Sequence, residues 1–205
     1  MTPMPQSRPY HHGDLRAALL ASAERTLREK GAAALSLREL ARDIGVSHAA
    51  PGRHFKDKQA LLDALALSGY DRLQHTLEAA DDPAASLEPR VSALARAYLT
   101  FAVDHPELLE LMFARKHDPE SSVQTAEVID VSLGSFTRLI ADAQARGEIV
   151  EGDPERLTLV AAASIHGLAA LIAGCALPAQ EALAGLDEHV HLVLHGLKPR
   201  QDRKT

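Results

Sequence analysis

A chain of 205 residues with one cysteine, Cys175, has no internal disulfide, buries a real core as one large or two small domains, and fits a reducing, cytoplasmic compartment. Aromatics make up 3% and no run alternates apolar with polar residues as a half-buried strand does, which leaves an all-α class. The net charge of −6 is uneven: residues 1–58 hold 10 Lys/Arg against 6 Asp/Glu, net +4, and the rest hold 12 against 22, net −10, a basic head on an acidic body.

Residues 1–12 contain three prolines and no apolar core of the kind a secretory signal needs, so they are expected to form a disordered arm in which Arg8 is the one basic residue. A first helix is expected from about Asp14 to Lys30, its stripe of Leu15, Leu19, Ala23 and Leu27 ending at Gly31. Residues 37–55 then read LRELARDIGVSHAAPGRHF. Ser36 followed by Glu39 is a capping-box pattern, and Leu37, Leu40, Ala41 and Ile44 recur at helical spacing. Ala41 allows a close helix crossing, and Gly45 supplies the left-handed turn. Val46 plugs the gap beneath that turn, and Ser47 caps a second short helix, about His48 to His54. This is helix-turn-helix chemistry, in which the second helix enters the DNA major groove.

In that position His48 is placed to meet a base edge or phosphate, Ala49 and Ala50 to meet thymine methyls, and Arg38 to grip guanine. Arg42 and Arg53 are either phosphate contacts or solvated charges. Pro51 and Gly52 conflict with a regular helix, Gly costing about 1 kcal/mol and interior Pro about 3. The recognition helix is therefore expected to be distorted or mobile without DNA and to order on binding.

Ser36-Leu-Arg-Glu-Leu-Ala, Gly45-Val-Ser and His54-Phe55-x-Asp57-Lys58-x-x-Leu61-Leu62 together resemble the DNA-binding domain of the TetR family of transcriptional regulators. The Tyr10–Arg16 and Ser47–Pro51 runs resemble one branch of it, and Gly52 stands where most members carry an aromatic. The resemblance implies phosphate contacts from Ser36, Ser47, His54 and Lys58. It also implies a homodimer through the last two long helices, a palindromic operator, and repression relieved by a small effector.

A long helix from about Asp57-Lys58 to Ala80 would join head to body and end at Asp81-Asp82-Pro83. Helices are then expected over about Ser86–Asp104, Glu107–Ala114, Ser122–Arg146 and Pro154–Ala176, with a final one from Pro178 to Lys198. The apolar stretch Leu157–Leu177, interrupted by Ser164, His166 and two glycines, reads as a buried helix rather than a membrane span. The organisation expected is thus an arm (1–12), a three-helix helix-turn-helix head (13–58), a connecting helix (59–80), an effector-binding and dimerisation body (81–198), and a loose tail (199–205).

Within the body, Tyr98, Phe101, His105, Met112, Phe113, Phe136, Ile140 and His166 are the residues expected around a largely apolar effector pocket. His191 and His195, four apart, suggest a shared metal, but Asp187 and Glu188 are not spaced to complete a site, so no metal or other cofactor is expected. No Gly-rich phosphate loop, nucleophile elbow or His-Glu-x-x-His motif is present. The rival readings are a helical metal-binding enzyme and a protein-interaction adaptor.

Overall fold

The structure is a computed structural model describing residues 12–116, 118, 121 and 123–196, with side chains outside the description for 12–14 and 123–133. The expected arm, all but His12, and the expected tail lie outside the described residues. Among the described residues there are nine α-helices, two single 3-10 turns and no strand.

The head opens with α1, His12–Lys30, ended by Gly31 at φ 76°. A 3-10 turn at Ala32–Ala34 leads into α2, Leu37–Asp43. Leu19, Ala23, Leu27, Leu35, Leu40 and Phe55 close a core between these elements. The turn after α2 forms as expected: Gly45 takes φ 73°, and Gly45 and Val46 donate to the carbonyls of Arg42 and Ala41 at 3.2 and 2.9 Å. The capping box does not form. Ser36 occupies the N-cap without a side-chain bond, and Glu39 instead lies 3.7 Å from Arg42 on the exposed surface.

The body hangs from α3, Lys58–Ala80, whose N-cap Asp57 accepts from the Ala60 amide at 2.8 Å. Helix α3 packs against α4 (Leu87–Asp104), α5 (Pro106–Lys116) and α6 (Val123–Ala145). Gly69 makes the α3–α5 crossing close, since a Cβ there would fall 2.6 Å from the Met112 sulfur. Arg115, buried on α5, holds Asp63 at 2.7 Å and Gln59 at 2.8 Å on α3 and also bonds Asp118. That cluster ties the body to the first turns of α3 beside the head.

Helix α7, Pro154–Ala173, follows an Asp153 cap and Pro at its first position. The expected final helix is two: α8, Ala179–Ala184, and α9, Leu186–Gly196, broken at Gly185. The expectation that Leu157–Leu177 is a buried helix needs correcting. Of α7 only Thr158, Ala161 and Ala169 are buried, while Leu159 is 66%, Val160 53% and Leu171 49% exposed. By length and composition α7 is apolar enough to cross a membrane, yet it is seated through its buried positions against α4 and α6. Its apolar excess faces outward on one side only.

Candidate nucleic-acid interface and effector site

The reading element departs from an α-helix. Residues 47–50 form a turn and Pro51–Arg53 a single 3-10 turn. Its bonds run three residues back, from Ala50 to Ser47, Arg53 to Ala50 and His54 to Pro51, at 3.0, 3.2 and 2.9 Å, until Phe55 donates four residues back to Pro51 at 2.9 Å. The cause is local. Pro51 has no amide to donate to Ser47, and Gly52 adds backbone freedom without a side chain to pack. Pro51 and Phe55 are both buried, so the segment is pinned at two points, with Gly52 and Arg53 exposed between them and Ser47, His48 and Ala49 exposed ahead of them.

The other expected DNA residues surround this turn. Arg38 projects from the first turn of α2 and, with Arg53, lacks an ion-pair partner among the described residues. Ser36, Ala50 and His54 are half-buried. Lys58 is committed elsewhere: its ammonium donates to the Ala33 carbonyl at 2.9 Å, across from the start of α3. Helix α2 is held to α1 by Asp43, which accepts from the buried Ser22 hydroxyl at 2.5 Å and from Arg25 at 2.9 Å. Those two bonds hold the Asp43 carboxyl below the usual carboxylate range. Sequence reasoning missed Arg16, exposed and 5.6 Å above the Phe55 ring at the foot of the reading turn. A basic residue on the first helix one turn before Leu19 was the available signal.

The expected effector residues fall in separate places. Tyr98 of α4, Phe113 of α5 and His166 of α7 meet. The Tyr98 hydroxyl lies 2.7 Å from His166 Nδ1, and the Phe113 ring stacks on the imidazole at 4.2 Å. Burial pushes the Tyr98 hydroxyl pKa upward and lowers that of His166, so both are held in their neutral forms. Beside them burial takes the Tyr70 hydroxyl up to about 12, and it donates to the Met112 carbonyl at 3.1 Å. Phe101 and Met112 are buried in the core, and Ile140 packs with Ala143 and Ile149 in a second small cluster. Phe136 lines a cleft of about 110 Å³ between α3, α4 and α6, closed at one end by the ion pair of Arg90 with Asp81. His105 belongs to neither place and instead contacts Arg72.

No group of three His, Cys, Asp or Glu among the described residues is arranged to hold a metal. His191 Nδ1 bonds Glu88 at 2.8 Å, and Asp187 pairs with Arg96 at 2.9 Å.

Comparisons with known proteins agree with this geometry. Residues 19–65 match the family described as bacterial regulatory proteins, tetR family, and residues 91–197 match the tetracyclin repressor-like C-terminal domain. The HTH-type transcriptional regulator Rv1816 of Mycobacterium tuberculosis is 33% identical over 141 residues, 66% of this chain and 59% of that protein. The chain therefore spans less than two thirds of the length of that relative. The HTH-type transcriptional regulator BetI of Rhizobium meliloti is 32% identical over 155 residues, 75% of each chain. A solved structure of a protein of unknown function from Rhodococcus sp. RHA1 superposes with a TM-score of 0.83 at 47% identity, covering 94% of this chain and all of the other. The reading turn between α2 and α3, the helical body behind it and these matches place the chain in one family: it belongs to the TetR family of transcriptional regulators.

Proposed function

We propose that the protein is a ligand-responsive repressor that binds a palindromic DNA operator as a homodimer in the cytoplasm and is released by a small, largely apolar effector. The observation that carries this reading is the exposed apolar face of α7 and α9. Leu159, Val160 and Leu171 on α7 and Leu192 on α9, the last 63% exposed, are more large apolar surface than a monomer usually leaves open on adjacent helices. Ala163 and Gly167 lie on the same side of α7 and permit close approach of a second copy. Two such faces pack isologously, and the dimer then fixes the spacing of two heads over two half-sites.

In each head (13–58), His48, Ala49 and Ala50 meet the major groove and Arg38 grips guanine, while Ser36, Ser47, Arg53 and His54 hold the backbone. Lys58 joins them by exchanging its bond to Ala33 for a phosphate, a trade favoured by the amide-rich start of α3. The reading turn orders into one conformation as it docks. Residues 59–80 transmit the state of the body (81–198) to the head. In the body the effector enters beside Tyr98, Phe113 and His166, whose neutral hydroxyl and imidazole give an apolar ligand two polar handles.

The test joins assembly to DNA binding. Leu171→Glu with Leu192→Glu puts two charges into the proposed interface and none into the head. Sedimentation should show dimer for the parent chain and monomer for the variant, and the variant should lose binding to a duplex selected from a random-sequence pool. A variant that stays dimeric, or a monomer that binds as tightly as the parent, refutes the arrangement.

A further inference from the structure

We propose that Glu24, Arg72 and His105 form a proton-sensitive clasp that positions the DNA-binding head on the body. The three side chains come from α1, α3 and the α4–α5 junction. One Arg72 nitrogen contacts both Glu24 carboxylate oxygens at 2.7 and 2.9 Å, and the other lies 2.9 Å from His105 Nε2. Guanidinium has donors only and stays charged, so His105 Nε2 must supply the lone pair. The contact exists only while that nitrogen is unprotonated. A proton on Nε2 turns the acceptor into a donor and sets two cations against each other.

The main chain at His105 is fixed where α4 passes into α5. Its amide donates to the Phe101 carbonyl at 2.9 Å, its carbonyl accepts from Leu109 at 3.0 Å, and its ring meets the Phe101 ring edge at 5.0 Å. The charged groups facing the junction are Glu24 and Arg28 from α1, Arg72 from α3, Asp104 from α4 and Glu107 from α5. The three carboxylates make an imidazolium tolerable there, but only in an arrangement where it competes with Arg72 for Glu24. The clasp thus has two arrangements, one bridged by Arg72 and one not. Helix α1 passes the difference on. Two residues before and one residue after Glu24, Ser22 and Arg25 bond Asp43 at the end of α2, directly before the reading turn.

The clasp rests on the DNA-binding reading for its function but not for its existence, and the experiment separates the two. Full-length parent and His105→Gln, which keeps a neutral acceptor and cannot be protonated, are compared from about pH 8 to pH 5.5 at fixed ionic strength, the interval in which imidazoles change charge. Affinity for a duplex selected from a random-sequence pool and the thermal midpoint are read together. Every other histidine is common to both proteins, so only the difference between the two curves counts. The two should agree at pH 8. At pH 5.5 the parent should bind roughly fivefold more weakly than the variant, at the low end of usual coupling between sites, and lose more of its thermal midpoint. Parallel curves in both readouts overturn the clasp. If no duplex is selected the DNA-binding reading fails, and the thermal curves alone decide the clasp. Should His105→Gln not fold, nitrogen NMR of the parent gives the answer. The Arg72 guanidinium signal should broaden between about pH 8 and pH 5.5, and a signal unchanged across that interval overturns the proposal.

Discussion

Gly52→Ala tests whether the reading turn orders on DNA or is already set. Gly52 is exposed, has no positive φ, and a Cβ placed on it meets nothing within 4 Å, so the substitution adds no clash. Alanine restricts the backbone relative to glycine by about 0.5–1 kcal/mol in helical conformations. If the turn orders only on docking, that gain appears in binding. Two heads contribute up to about 2 kcal/mol, roughly a 30-fold tighter complex at 1.4 kcal/mol per factor of ten. The thermal midpoint of the free protein then moves little. If the turn is already fixed in the free protein, the same gain appears as a midpoint rise of about 1–4 °C with unchanged affinity. Fluorescence titration of a selected duplex, paired with calorimetry, separates the cases. A higher midpoint with unaltered affinity would refute ordering on binding.

Cys175 ends α7 in a left-handed conformation at φ 55°, where Cys175 and Ala176 donate to the Ile172 and Leu171 carbonyls at 2.9 Å. Cys175→Gly should stabilise the chain by about 1 kcal/mol, seen as a midpoint rise of about 2–4 °C. Asp81 is held below its ordinary value of 3.8 chiefly by its hydrogen bonds from Arg90. Its contribution is complete above the unfolded value and lost as pH falls through the folded one, so Asp81→Asn should flatten the acid limb of stability measured in urea. His166 is lowered from 6.5 by burial, which makes the unfolded chain bind more protons. Stability should therefore drop as pH falls below about 6.5, and His166→Phe should remove the part of that slope due to His166 in the same titration. Leu99→Ala, at a position fully buried in the core, should cost about 2–5 kcal/mol.

Most elements were legible in the sequence because they are set by local chemistry. The left-handed turn at Gly45 follows from glycine between two helical stripes, and the start of α7 from Asp153-Pro154. Pro51-Gly52 announced the irregular reading turn, since neither residue supports an α-helical ladder there. The capping box failed because Glu39 sits toward Arg42 one turn along its own helix and the Ser36 side chain makes no cap bond, a competition that a sequence pattern does not rank. The burial of α7 was misjudged for a related reason. Apolar periodicity reports that a face seeks cover, not whether the same chain provides it. Of the effector candidates, Tyr98, Phe113 and His166 meet because α4, α5 and α7 converge, whereas Met112 fills the gap opposite Gly69. The clasp was invisible, since Glu24, Arg72 and His105 are 48 and 33 residues apart and join only through packing.

The most direct test of the central claim is selection of duplexes from a random-sequence pool by the full-length protein, followed by a salt series on the enriched sequence. The account predicts a palindrome bound by two chains, with affinity falling steeply as salt rises because phosphate contacts release counterions. No enrichment, or enrichment of a site bound by one chain with affinity insensitive to salt, would contradict it.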